Sequence, residues 1–577
     1  MIEVIKKFNA ILSRGQKIRI GIIIVLMLAG AVLETASVSL IVPLMTTIMN
    51  PDFFTENKYA ALVCRWLDLH SANTFMIAVL IGLIMLFLGK DIFLFFEYYV
   101  QSRFICNNRL ATQQKLMHAY LNKPYEFYLN ASTGEIIRII TADVQSAFNL
   151  LQSILDFFTE FAVSMALIIA IVIVDWQMAT LTAAILILEM LLIYKVIKPV
   201  LRSAGESKQR NDAYSNKWIL QSLEGIKEVK VSKKEDYFEE QYVSYSKKAN
   251  SAEKTSRVLQ NAPRLMIEAV TISSLLGMIA ILLMRGRDIA TLMPQLSAFA
   301  VAAVRLLPAV NRISTALNSI AFYAPTLDHL EDNLGELKEN AAADDVAQND
   351  SKISFDNDCH IKDVSFRYPN SEKNVLEKAD MRIPVGKSIG IVGSSGAGKT
   401  TVVDILLGLL QTDDGQVLVD GKDIFCNYDS WLAQLSYIPQ TIYMLDDTIR
   451  ANVAFGVPKD RISDSQIWHA LEEAQLKEFV QGLPDGLDTM IGERGVRLSG
   501  GQRQRIGIAR ALYTDPKLLI FDEATSALDN ETEAAIMEAI NSLHGKKTMI
   551  IIAHRLTTIE ECDMIYRVEN GKIHQEK

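Results

Sequence analysis

Six apolar runs, each long enough to cross a bilayer, fill the first half of the chain, at about residues 18–46, 75–99, 152–174, 178–199, 263–284 and 290–316. A crossing helix takes ~20 residues. In hydrocarbon every backbone N–H and C=O must be satisfied within the segment, so runs like these fold as helices. The third and fourth runs are separated only by Asp175–Gln177, which predicts a tight helical hairpin on one membrane side. Basic residues precede the first run, as in a secretory leader. That run continues to about Met45 without an A-x-A cleavage site, so it reads as a retained spanning helix.

The loops give the orientation. Arg202, Lys208, Arg210, Lys217, Lys227, Lys230, Lys233 and Lys234 lie between runs four and five, and Arg103, Arg109, Lys115, Lys123 and Arg138 between runs two and three. The opposite loops carry Lys58 and Arg65, none in the hairpin, and Arg285 and Arg287. Basic loops stay in the cytoplasm, which predicts that both termini are cytoplasmic. The two long basic segments look helical, so the spanning helices are expected to extend well below the membrane.

After the sixth run the composition changes. The stretch from Gly335, GELKENAAADDVAQNDSKIS, is polar, small and acidic, as a linker is. Beyond it strands and helices alternate: IKDVSFRY, KSIGIVG, GQVLVDG and KLLIFDEAT read as strands. The expected organisation is a membrane domain at 1–334, a linker at 335–352 and an α/β domain at 353–577. A chain of 577 residues that is 50% hydrophobic yet 22% charged fits that division. The net charge of −9 argues against a nucleic-acid partner. The five cysteines, Cys64, Cys106, Cys359, Cys426 and Cys562, form no C-x-x-C pair, so neither a disulfide framework nor a zinc site is expected.

The chemistry lies in the second domain. GSSGAGKTT, Gly393–Thr401, follows the strand SIGIVG and opens the helical run TVVDILLGLL, the setting of a phosphate-binding P-loop. Gly393, Ser394, Ser395, Gly396, Ala397 and Gly398 present backbone N–H groups to phosphates, aided by the helix N-terminus. Lys399 is expected to reach the β and γ phosphates and Thr400 to hold Mg²⁺, with Thr401 beside it. Downstream, LLIFDEAT ends a strand on Asp522, a second oxygen ligand for Mg²⁺. Glu523 follows directly, placed to orient and deprotonate an attacking water.

LSGGQ, Leu498–Gln502, resembles the signature of ABC-transporter ATPases, and other motifs of that family follow the same order. Tyr368 resembles the aromatic that stacks on adenine. Gln440 resembles the residue that reaches Mg²⁺, Ser526–Asp529 the D-loop, and His554 the switch histidine. Gly492–Gly495 resembles the exporter segment that touches the membrane part. The resemblance implies a half-transporter: ATP held by the P-loop of one chain and by Ser499, Gly500, Gly501 and Gln502 of a second copy. It also implies an α-helical membrane domain of six transmembrane helices extended into the cytoplasm, joined to an α/β P-loop ABC ATPase domain. Tyr125–Asp143 and Ala213–Val231 resemble the segments that exporters press against the ATPase.

Four cations from three of these runs, Lys90, Arg264, Arg305 and Arg312, share the middle-to-inner part of the membrane. At 1.5 Å per helical residue, Lys90 and Arg305 lie ~22 Å below the outer face, Arg264 ~30 Å and Arg312 ~33 Å. A cation at such depth costs several kcal/mol, so it faces a cavity or a partner. One reading is internal pairing with Glu160, Glu189 or Glu268. The other is an anionic substrate, whose phosphate suits the planar fork of arginine. RLLPAVNRI in the last run resembles the pyrophosphate-facing helix of lipid-linked oligosaccharide flippases of the PglK type. Lys58–Leu69 resembles their short external helix, with Tyr59, Leu62, Val63, Trp66 and Leu67 on one apolar face. The resemblance implies a homodimer in the cell inner (plasma) membrane, carrying a lipid-linked substrate outward at the expense of ATP. A peptide or drug exporter, or a non-transporting regulatory ATPase, are the alternatives.

Overall fold

A computed structural model describes residues 6–8, 13–39, 66, 72–174, 176–284, 307–327, 352–369, 371–523, 530–553 and 559–577. The chain divides into two compact units, one of residues 1–123 and 130–341, the other of residues 342–577 together with 124–129.

The first unit is helical. Its long helices are α1 (Arg14–Ser39), α2 (Ala72–Leu121), α3 (Val144–Val174), α4 (Trp176–Glu224), α5 (Glu235–Met284) and α6 (residues 307–327). Two short pieces precede α3: a helical turn at Thr133–Arg138 and a π-helical turn at Ile139–Asp143. α2, α4 and α5 run to about 50 residues, far beyond the ~20 needed to cross a bilayer, as the helical reading of the basic loops requires. Among the described residues, three segments are long and apolar enough to cross a membrane: 14–37, 73–121 and 133–169. One face of α2 shows why: Ile77, Leu80, Ile81, Ile84, Met85, Leu88, Ile92 and Phe95 are all exposed, a surface that only lipid or another apolar partner can cover.

Packing inside this unit is tight where small residues allow it. Ile197 and Leu201 of α4, Ile267 of α5, and Val310 and Ala321 of α6 share one buried cluster. Gly205 of α4 lies against the backbone of α6, so an added Cβ would stand 2.1 Å from the Phe322 carbonyl oxygen. Asn318 donates from Nδ2 to the Leu259 carbonyl at 3.1 Å, a polar tie between α6 and α5. Below the apolar runs, Lys208 of α4 pairs with Glu253 of α5 at 3.0 Å and with Asp212 at 3.3 Å. The α4 helix ends at Glu224, before Gly225. A short helix, Ile226–Ser232, then stops at left-handed Lys233, and α5 begins. That break falls on the Glu224–Gly225 pair within Ala213–Val231.

In the second unit a four-stranded antiparallel sheet has the order β2-β1-β4-β5, with β1 at Asp358–Phe366, β2 at Leu376–Pro384, β4 at Asp414–Val419 and β5 at Lys422–Asp423. A six-stranded sheet has the order β10-β9-β3-β8-β7-β6. Its strands are β3 (Ser388–Val392), β6 (Leu435–Ile438), β7 (Leu518–Asp522), β8 (Thr548–Ile552), β9 (Met564–Glu569) and β10 (Lys572–Gln575). All pairings except β9 with β10 are parallel. β3, β7 and β8 are buried along their whole length, which is why their sequences read as unbroken apolar runs. Phe355 and Trp431 meet edge to face in the core beside the antiparallel sheet, with ring centroids 6.0 Å apart. Of the cysteines, Cys359 and Cys562 are buried, Cys426 half-buried and Cys106 exposed, all free. Cys64 lies outside the described residues.

Candidate nucleotide site and intramembrane charges

Parallel pairing brings the carboxyl ends of β3 and β7 to the same edge, separated only by β8. That edge is where α/β sheets bind ligands. The chain leaving β3 turns at Gly393, whose Cβ, if present, would stand 2.4 Å from the Val568 carbonyl oxygen. It enters α7 (Lys399–Leu406) through Gly398, at φ 101°. A side chain at either glycine would open the loop. Lys399 is buried, and its ammonium donates to the carbonyls of Gly393 at 3.0 Å and Ser394 at 3.2 Å. The lysine therefore sits inside the curl made by Gly393–Gly398. Thr400 is exposed in the first turn of α7, and Thr401 is buried. The Tyr368 hydroxyl lies 3.1 Å from Thr401 Oγ1, which ties the aromatic candidate to the P-loop helix.

At the end of β7, Asp522 is buried and accepts a hydrogen bond from the Tyr437 hydroxyl at 3.0 Å. Burial, followed by the charge of Asp522, pushes the Tyr437 phenol above its ordinary range. Glu523 takes a left-handed backbone, φ 49°, uncommon for a residue with a side chain and a form of local strain that gathers at functional turns. Its Oε2 accepts from Gln440 Nε2 at 2.8 Å, so two side chains singled out in the sequence meet directly. Asp404, on α7, was not singled out. Burial and then the neighbouring charge of Asp522 raise its pKa to about 6.

Among the described residues no group of three or more His, Cys, Asp or Glu gathers to hold a metal. Thr400 lies in the first turn of the helix after β3, Gln440 just beyond β6 and Asp522 at the end of β7, and each carries a side-chain oxygen. They suit a hard cation that completes its shell with water and phosphate, as Mg²⁺ does.

Ser499 begins α8 (Gly500–Tyr513) with a reciprocal cap. Its Oγ accepts from the Gln502 amide at 3.2 Å, while Gln502 Oε1 accepts from the Ser499 amide at 2.8 Å. Both signature side chains thus shape a helix N-terminus that favours anions. In Gly492–Gly495, Arg494 has φ 52° within a 3₁₀ turn. Glu126 Oε1 accepts from the Gln411 amide at 3.0 Å inside the second unit, to which residues 124–129 belong. His554 and Ser526–Asp529 lie outside the described residues.

The four cations stand in different surroundings. Lys90 is buried, paired with Asp91 at 3.2 Å and 4.8 Å over the Phe87 ring. Arg264 and Glu268 are both exposed, with no ion pair between them among the described residues. Arg312 binds Glu160 through Nε and Oε1. Arg305, the Lys58–Leu69 segment (Trp66 apart) and most of the sixth run lie outside the described residues.

Long apolar helices and a P-loop ATPase fold carried on one chain define an ATP-driven membrane transport protein. Residues 376–526 match the ABC transporter family and residues 20–288 the ABC transporter transmembrane region. An ABC transporter ATP-binding protein of Sinorhizobium fredii, y4gM, is 30% identical over 494 residues, 83% of this chain and 81% of that protein. The chain belongs to the ABC transporters, and it couples ATP hydrolysis to transport across a membrane. An ATP-dependent lipid A-core flippase of Photorhabdus laumondii is 29% identical over 96% of this chain and 92% of its own. The ATP-bound structure of a bacterial Atm1-family ABC exporter superposes with a TM-score of 0.72 over 97% of this chain and 95% of that one, at 24% identity, a likeness of fold.

Proposed function

We propose that two copies of this chain form a flippase in the cell inner membrane, which carries a phosphate-bearing lipid from the inner to the outer leaflet. The substrate class we favour is a polyprenyl-pyrophosphate-linked oligosaccharide. The observation that carries a lipid cargo is the likeness, along 96% of the chain, to a protein named as a lipid flippase. The resemblance of RLLPAVNRI to a pyrophosphate-facing segment of lipid-linked oligosaccharide flippases supports a pyrophosphate headgroup.

In this reading the membrane domain (1–334) and ATPase domain (353–577) are joined by a linker at 335–352. Each ATP lies between the P-loop of one copy and the Ser499–Gln502 cap of the other. Tyr368 stacks on the base, and Lys399 and the loop amides bind the phosphates. Thr400, Gln440 and Asp522 would hold Mg²⁺, which neutralises phosphate charge when bound. Glu523, held by Gln440, takes the proton of the attacking water, and His554 contacts the γ-phosphate. Lys90, Arg264, Arg305 and Arg312 receive the anionic headgroup. Glu160 is then the counter-charge that the phosphate displaces from Arg312.

The test is lipid transport and ATP hydrolysis by Arg312→Ala in proteoliposomes. A headgroup role predicts that transport per ATP hydrolysed falls at least ~10-fold, since a charge-assisted hydrogen bond contributes ~1.5–3 kcal/mol. A purely structural pair predicts that folding and hydrolysis fail together and that Glu160→Gln restores both. Unchanged transport per ATP contradicts the headgroup role.

A further inference from the structure

Among the described residues of the membrane unit, Glu34, Glu97, Asp156 and Glu160 lie near one another, and Arg312 pairs with Glu160. Glu97 of α2 is 5% exposed, and its Oε2 has no hydrogen-bond partner. Glu160 of α3 gives Oε1 to Arg312, while its Oε2 is buried and also without a partner. Glu34 of α1 and Glu160 lie near enough to Glu97 for their charges to act on it. Asp156, one turn before Glu160, acts on Glu160 in the same way. Its Oδ1 accepts from Gln101 at 3.2 Å and from Gln152 at 2.7 Å. Four carboxylates from three helices therefore share this region. Arg312 of α6 reaches this group through Glu160, while Lys90 of α2 pairs with Asp91 and lies over the Phe87 ring.

The backbone makes room for this arrangement. A Cβ on Gly30 of α1 would stand 2.6 Å from Glu97 Oε2. The carboxylate lies against the bare backbone of α1, one helical turn before Glu34. A larger residue at position 30 would push it out.

A carboxylate can only accept, and a buried acceptor without a donor is costly. Two such oxygens, from Glu97 and Glu160, therefore call for a ligand that brings hydrogen-bond donors and positive charge. A compact ammonium group supplies both, with three N–H donors and one charge. Charged side chains at membrane depth mark substrate and ion pathways.

We propose that Glu97 and Glu160, with Glu34 and Asp156 behind them, form an acidic intramembrane site that receives the primary ammonium group of an amphiphilic molecule. It is a second polar recognition site, opposite in sign to that of the arginines, and does not rest on their binding phosphate. A substrate headgroup carrying both signs would engage the two sites together.

The experiment uses the full-length protein in lipid nanodiscs and reads ATP hydrolysis and thermal unfolding during titration with dodecylamine. Dodecanol is the neutral control, and ammonium chloride at matched ionic strength tests a cation from solution. Dodecylamine is expected to stimulate hydrolysis where dodecanol does not. Its half-saturating concentration is expected to rise at least ~10-fold in Glu97→Gln, which keeps the side-chain shape and removes the charge. Gly30→Ala is expected to shift the curve the same way, because it displaces the carboxylate without changing any charge. If ammonium chloride reproduces the response and Glu97→Gln abolishes it, the acidic site stands, but the amphiphile as its occupant is overturned. Superimposable dodecylamine curves for wild type and both variants overturn the site. Should either variant unfold, the wild type alone decides: equal effects of dodecylamine and dodecanol on its unfolding temperature also overturn it.

Discussion

Asp404 offers a pH-dependent test of the nucleotide edge. Burial and the charge of Asp522 raise its pKa from 3.8 to about 6. Below about pH 4 the carboxyl is protonated in both the folded and the unfolded chain and contributes nothing. Between about pH 4 and pH 6 the unfolded chain releases this proton while the folded chain keeps it. The folded state then binds more protons, so stability falls as pH rises through this window and stays reduced above it. A shift of about 2 units corresponds to roughly 3 kcal/mol. The side chain is only partly buried, so solvent screening reduces this to ~1.5 kcal/mol. Asp404→Asn removes the penalty. The variant should match wild type near pH 4 and unfold at a temperature about 4 °C higher at pH 7.5, using ~2–4 °C per kcal/mol for a domain of this size. The assay is calorimetry or intrinsic fluorescence of the nucleotide-free protein, with chelator present so that no divalent cation offsets the Asp522 charge. Parallel pH profiles for the two proteins, or a variant less stable at pH 7.5, would refute the reasoning.

Gly205→Ala should destabilise the membrane unit by ~1–3 kcal/mol or more, because the Phe322 carbonyl oxygen, 2.1 Å from the new Cβ, must move with its helix. Thermal unfolding of purified protein measures this, and an unchanged transition would mean that α4 and α6 do not approach so closely. Cysteines at Ser395 and Gly500 should crosslink between chains in an ATP-bound homodimer. Exclusively within-chain products would exclude the shared-site arrangement.

The P-loop could be read from the sequence because phosphate binding requires a fixed order: a buried strand, glycines that curl the backbone, then a helix. Gly393 and Gly398 meet that requirement in the structure, one through a close approach and the other at φ 101°. The link between Gln440 and Glu523 is different. Eighty-three residues separate the two, and parallel pairing of β6 with β7 brings their strands together. The same pairing delivers Tyr437 to Asp522 and forms a hydrogen bond that no motif announces. Asp404 escaped notice because a carboxylate on an amphipathic helix looks solvated until the facing strand is placed.

In the membrane unit, the sequence named Glu160 among the carboxylates that could pair with the cations. That Arg312 meets Glu160 depends on helix rotation and packing, which an all-round apolar run does not encode. Glu97 was hidden for the same reason: only the approach of Gly30 shows which way its carboxylate points.

The central claim is that ATP hydrolysis drives a lipid across the bilayer, with Glu523 as the base. It is tested most directly in proteoliposomes loaded with a polyprenyl-pyrophosphate-linked oligosaccharide, by following arrival of the saccharide in the leaflet opposite the ATPase domains. Wild type should move it only with ATP and Mg²⁺. Glu523→Gln should bind ATP yet hydrolyse it ~10²–10⁴-fold more slowly and stop transport in proportion. Translocation by Glu523→Gln at the wild-type rate, or by wild type without ATP, would contradict the account.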